Sequence, residues 1–307
     1  MCSRPRPREP SSATVAWRVC LMGYMTPMRL KPTRRTHAAI LAGLGLVALA
    51  APALATAEEI PTPTINVKAK AVPIPGFPGT GNFYSKGAAV ETTFEIEGSG
   101  YGATTQNPKG GIPPLSAVNV YLPKGVKLHP QGFATCSEAT LKSIGPSGCS
   151  KKSSASPLGS VLGEVTFGTE RVPETATLQA FFAPGGGLLF FTKGSSPVSL
   201  EIVSAGHYVR SSGKYSWELK TLVPPVASVP GAPLASARMI HIKVGAAYRS
   251  HGKVVPYGTV PKKGECPHGG FFGKTEVTFG GMYGGEREFG IPPKTVTKVI
   301  RVPCPKR

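Results

Sequence analysis

The chain has 307 residues, with 35 Lys and Arg against 16 acids, 38 Gly, 32 Pro and six Cys. All 16 acids are Glu, which excludes Ser-His-Asp triads, Asp-based calcium loops, phosphoryl-aspartate chemistry and Walker-B magnesium sites together. With 17% charged and 40% hydrophobic residues the composition is that of a folded chain, long enough for one large or two small domains.

The first element is a targeting segment. Residues 38–57 carry no charge and follow a basic cluster of Arg29, Lys31, Arg34 and Arg35. Two small-x-small sites, Ala53-Leu54-Ala55 and Ala55-Thr56-Ala57, close the run. Basic, apolar and A-x-A segments in that order predict a secretory signal peptide over residues 1–57, cleaved before Thr56 or Glu58. Twenty apolar residues would also suffice for a single membrane anchor, but Pro52 and the A-x-A sites favour removal. The basic region is long, and Met25 or Met28 would give an ordinary start. Arg34-Arg35 alone is a weak twin-arginine signal, and no Cys closely follows the apolar run to carry a lipid. Cys304-Pro305-Lys306-Arg307 lacks the aliphatic residues of a prenylation site. The expected product is a secreted domain, residues 58–307, with no further membrane span, soluble or loosely held at the cell surface.

Removal of residues 1–57 leaves 27 Lys and Arg against 15 Glu, a net +12, and four cysteines, Cys136, Cys149, Cys266 and Cys304. An even count outside the cell predicts two disulfides with three possible connectivities. Sequence proximity favours Cys136–Cys149 and Cys266–Cys304, whose loops would contribute about 3 and about 4 kcal/mol. A zinc site on Cys266-Pro267-His268 is the rival reading, but C-x-H is not structural-zinc spacing. No cofactor is expected.

Strand periodicity then runs through the chain. Residues 65–71 open it. Val90, Thr92, Phe94 and Ile96 alternate with Glu91, Thr93, Glu95 and Glu97, which predicts a half-buried strand. Val118, Val120 and Leu122 repeat the pattern. One helix is predicted over 137–142, capped by Ser137 or Thr135. After Val161–Phe167, the segments Leu178–Phe182 and Leu188–Phe191 flank Pro184-Gly185-Gly186-Gly187 as a hairpin. Further strands are predicted at Val198–Ile202, Tyr215–Leu219, Ile240–Val244, Val277–Phe279 and Val296–Val302. Residues 223–233, with four prolines, read either as a domain boundary or as a crossover within one domain; the short piece that follows favours the crossover. The expected fold is all-β: a disulfide-braced antiparallel β-sandwich of about ten strands.

The catalytic inventory is thin. No G-x-S-x-G, H-E-x-x-H, C-x-x-C, Walker A or G-x-G-x-x-G motif follows the signal. Gly98–Gly102 reads as a loop and Gly280–Gly285 as a turn. His129, His207, His241, His251 and His268 include no i,i+2 or i,i+4 pair, so each reads as a surface or satisfied histidine; His241 shares an alternation with Ala237 and Met239. Glycosidase carboxylates have candidates in Glu91, Glu95, Glu97, Glu201, Glu218 and Glu276, but Glu at alternate strand positions is the ordinary solvent face. The basic balance says more: Lys124, Lys127, Lys142, Lys151 and Lys152 gather near the first disulfide. Lys262, Lys263, Lys294, Lys298, Arg301, Lys306 and Arg307 crowd the C-terminal part. Such charge draws a protein to anionic polymers, although Lys also protects strand edges. No nucleic-acid motif accompanies it.

The order Leu122-Pro123-Lys124-Gly125-Val126, Phe133-Ala134-Thr135-Cys136-Ser137, Leu141, Cys149 and Leu158-Gly159-Ser160-Val161, continued by Leu188–Phe191, Ile240-His241-Ile242-Lys243-Val244, Cys266-Pro267 and Cys304, resembles uncharacterised secreted proteins of actinobacteria, of the Thermoleophilia type. It departs from them at Ser150, where the resemblance would place Pro. The resemblance implies an exported, disulfide-braced β-sandwich and no activity. Two functional expectations follow. One is a secreted, non-enzymatic protein held at the envelope or matrix through its charge. The other is a carbohydrate-binding module or polysaccharide hydrolase using aromatics such as Tyr101, Tyr208, Trp217 and Tyr283. Oligomeric state is not legible.

Overall fold

A computed structural model describes residues 59–81, 87–167, 170–260, 269–283 and 289–303. The expected signal peptide with Met25 and Met28, the Cys266–Cys304 pair, and His268, Lys262, Lys263, Lys306 and Arg307 lie outside the described residues.

In chain order the elements are β1 (Thr64–Val72), β2 (Ala89–Glu97), β3 (Leu115–Pro123), β4 (Lys127–Leu128), α1 (Glu138–Ser143), β5 (Gly159–Phe167), β6 (Glu170–Phe182), β7 (Leu188–Ser196), β8 (Glu201–Arg210), β9 (Tyr215–Leu222), β10 (Ser236–Val244), β11 (Ala247–Ser250), β12 (Lys253–Pro256), β13 (Gly258–Thr259), β14 (Phe271–Phe279) and β15 (Lys294–Val302). Eleven strands form one antiparallel sheet in the order β1-β2-β10-β5-β6-β7-β8-β9-β3-β14-β15; β11–β12 and β13–β4 form two small ribbons. Strand twist makes so wide a sheet curl, and its edges β1 and β15 come to lie against each other. No ladder joins those edges among the described residues; instead Val67, Ala69 and Ala71 pack against Phe271, Ile300 and Val302. Lys294 Nζ reaches Glu59 Oε1 at 2.8 Å and donates to the Ile60 carbonyl. The result is a nearly closed antiparallel barrel, in which the layers of the expected sandwich are facing walls.

Alternation decides which side chains enter the barrel. On β2, Val90, Thr92, Phe94 and Ile96 face inward, leaving Glu91 and Glu95 outside to meet Lys70 and Lys68 of β1 at 3.1 and 3.0 Å. Strands β6 to β8 break the alternation because both their faces are covered. Phe182 and Leu188 face inward, whereas Phe181, Leu189, Phe191 and Val203 take Leu141 and Cys136 on the outer face. This accounts for the unbroken apolar runs of the predicted hairpin. The expected disulfide Cys136–Cys149 is formed, with Cα atoms 5.5 Å apart, and anchors α1 there. Of the two expected caps Ser137 acts, its Oγ accepting from the Thr140 N–H at 3.0 Å.

Two local expectations change, and the preferred reading of residues 223–233 as a crossover stands. Val198 and Leu200 lie before β8, because the buried carboxylate of Glu174 accepts from the N–H groups of Ser195, Ser196 and Val198 and draws this segment out of the ladder. A bulge between Ala237 and Met239 breaks the register of β10. Ala237 therefore faces inward while His241 faces outward to Glu91, and the two do not share a face. The proline-rich residues 223–233 carry the chain from β9 to β10, two strands of the same sheet.

Candidate functional site

The inner wall of the barrel encloses a cavity of about 380 Å³. Eight strands give an interior that side chains just fill, and more strands widen it. Here eleven strands are lined partly by small residues, among them Gly163, Ala176, Gly194, Ala237 and Gly273, while larger ones such as Leu178, Leu219 and Ile242 pack together in one core cluster beside it. The rest of the wall is aliphatic and aromatic, with Val120, Val161, Leu178, Phe190, Leu219 and Ile240 on six different strands.

Segments outside the main sheet add to the lining. Pro224, Pro225, Val226 and Ala235 of the β9–β10 crossover reach the cavity. Val126, Leu128, Tyr257 and Val260 come from the segments around the two small ribbons. Tyr257 stacks at 4.6 Å on Phe182, which meets Phe133 at 4.8 Å, and its hydroxyl donates to the Gly186 carbonyl at 3.2 Å. Burial pushes the Tyr257 hydroxyl up to about 12, and burial with the neighbouring Tyr257 drives Tyr208 further above its ordinary value.

Two carboxylates beside the cavity are neutralised within the fold. Glu174 accepts its three backbone hydrogen bonds at 3.0, 3.1 and 3.0 Å. Glu164 stands 3.6 Å from both the Arg171 and Arg238 guanidinium groups. Arg171 in turn donates to the Leu234 carbonyl at 3.2 Å and Ser236 Oγ at 2.5 Å, and lies 5.5 Å over the Tyr101 ring. Burial holds Arg171 below its usual range, and its Nε has no hydrogen-bond partner among the described residues.

The other predicted residues are spread over the exterior. His129 Nε2 meets Thr259 Oγ1 at 2.9 Å, His241 Nε2 meets Glu91 at 3.0 Å, His251 Nδ1 lies 3.1 Å from Ser250 Oγ, and His207 is exposed. Among the described residues no three His, Cys or Glu stand where they would hold a metal. Glu201 pairs with Lys193 at 2.9 Å and Glu97 is exposed. Glu218 and Glu276 are brought together around Tyr121, whose hydroxyl donates to Glu276 Oε2 at 2.9 Å. Burial would raise the Glu276 carboxyl, but hydrogen bonds from Lys274 and Tyr121 outweigh it and hold it below its ordinary value. The His241 imidazole and then Lys70 hold Glu91 down in the same direction. The aromatics do not assemble. Tyr101 is buried under Arg171, Tyr208 lines the cavity, Arg210 covers the Trp217 ring at 3.8 Å, and Tyr283 is half-buried elsewhere. Lys124, Lys127, Lys142, Lys151 and Lys152 are all exposed.

No protein-family model, curated protein or solved structure matches this chain. The cavity itself escaped the sequence reading. Its trace was there, in small residues recurring on the inward-facing alternation, but their inward neighbours are fixed only by pairings between distant strands.

Proposed function

We propose that the chain is an exported, non-enzymatic binding protein that holds an apolar small molecule inside its barrel and meets anionic envelope polymers or lipid surfaces through its basic exterior. The observation that carries this reading is the 380 Å³ cavity with its apolar wall. That volume falls within the range of about 300–1,000 Å³ typical of small-molecule sites, and barrel interiors are a common place for them. At roughly 24 cal/mol per Å³ of unfilled cavity, several kcal/mol of packing is open to an apolar occupant. The expected export signal and the +12 balance of residues 58–307 fit a carrier working outside the cell.

Polysaccharide binding or cleavage draws less support. Stacking on sugars needs exposed ring faces, and Tyr101, Tyr208 and Trp217 are buried, cavity-facing or covered. A glycosidase acid needs a raised carboxyl, whereas Glu91, Glu95 and Glu276 are all held low. The test is titration of the purified chain with neutral aminoanthracene, followed by fluorescence. One saturable site is expected, and Ala176→Phe, which places a ring in the cavity, should abolish it while the circular dichroism spectrum persists. Absence of saturable binding, or binding untouched by the substitution in a folded protein, would overturn the reading.

A further inference from the structure

Resting on that reading, we infer that the barrel selects a long apolar molecule bearing one uncharged hydroxyl or carbonyl group, and discriminates against fatty-acid and phospholipid anions. The argument starts from charge. The exported part carries 27 Lys and Arg, yet among the described residues none of them, and no His, lines the cavity. Only two charged groups do, Glu164 and Glu174, and both are already engaged. Glu174 accepts from the N–H groups of Ser195, Ser196 and Val198. Glu164 pairs with Arg171 and Arg238 and accepts from the Ile112 N–H at 3.4 Å. An anionic headgroup brought inside would find no cation among the described residues of the wall. A buried charge without a partner is strongly disfavoured, and such a group sheds its charge instead.

What the wall does offer is uncharged hydroxyl groups. Ser204 and Tyr208 lie on β8, on either side of Gly206, and Thr221 of β9 pairs with Gly206 across the ladder. All three side chains line the cavity, and their hydroxyls have no hydrogen-bond partner among the described residues. Diagonal positions two residues apart on paired strands lie within reach of one another's side chains, so the three stand on one stretch of wall. Gly206 keeps that stretch open: a Cβ there would sit 2.8 Å from Thr221 Oγ1 and 3.1 Å from Leu219. A hydroxyl or carbonyl group can exchange water for these groups at little cost, while its chain occupies the aliphatic remainder. Tyr208, enclosed by protein and kept protonated at any ordinary pH, remains a donor throughout.

The test displaces aminoanthracene from the full chain with dodecanol and with dodecanoate at about pH 8. Dodecanol should displace it at a concentration at least about tenfold lower. Dodecanoate should improve as the pH falls towards its own protonation, because only the neutral acid fits. A Ser204→Ala, Tyr208→Phe, Thr221→Val variant should weaken dodecanol about three- to tenfold more than it changes the affinity for aminoanthracene. Equal or tighter binding of dodecanoate at about pH 8, failure of dodecanol to displace a bound probe, or a variant that keeps full affinity for dodecanol would each overturn the inference. Absence of probe binding would instead remove the cavity reading beneath it.

Discussion

On the outer face of β9, β3 and β14 a few side chains set how the protein responds to acid. Tyr121 donates to Glu276, Lys274 Nζ lies 2.6 Å from Glu276 Oε1, and the same ammonium sits 3.7 Å over the Tyr121 ring. Glu276 is about 25% exposed, so screening reduces but does not remove its contribution. Its carboxyl is depressed below its ordinary 4.5. A depressed carboxyl stabilises the fold fully above the unfolded value, and that contribution is lost as pH falls through the folded value. Glu276→Gln should therefore cost about 1 kcal/mol at neutral pH. The difference from the parent chain should shrink as pH drops from about 5 to about 3. Urea unfolding of both proteins across that range checks it; a penalty independent of pH would mean that packing, not charge, is what the substitution disturbs.

At the scale of elements, α1 matters as a patch rather than as a helix. Six residues are too few to hold themselves, and α1 persists because Leu141 is fully buried and Cys136–Cys149 closes a 13-residue separation beneath it. Replacing both cysteines with Ser should lower stability by about 3 kcal/mol, read from denaturant midpoints, and should leave aminoanthracene binding intact because the patch lies outside the barrel. Loss of binding with the disulfide would show that the outer patch shapes the inner wall. This element was legible in advance, since its capping serine, its length and its cysteine pair are all local. So were the main strands, because alternation such as Val90 to Ile96 is local too. Val198 and Leu200 misled because the group that organises them, Glu174, comes from a strand more than twenty positions earlier. Closure was not legible for the same reason. Tyr121 pairs with Lys274 and Glu91 with Lys243, and nothing in the periodicity of a strand names its neighbour. Alternation separates inside from outside; only the order of strands tells whether the inside is filled.

The whole molecule keeps its two chemistries apart: cations on the outer surface, an apolar chamber within. The two should therefore answer differently to salt. Contact between the basic exterior and vesicles containing phosphatidylglycerol is a screened interaction, and at about 0.5 M salt the screening length falls to a few Å. Sedimentation with such vesicles should be lost there, and vesicles of phosphatidylcholine alone should not pull the protein down at either salt. Occupation of the cavity draws on burial of apolar surface, which salt does not weaken. At a hundredfold excess of dodecanol over its Kd, linkage stabilises the fold by about 2.7 kcal/mol, which for a domain of this size raises Tm by about 5–10 °C. That rise should be the same or larger at high salt. A thermal shift abolished by salt together with vesicle binding would mean that the ligand sits on the charged exterior, and the chamber would no longer be its site.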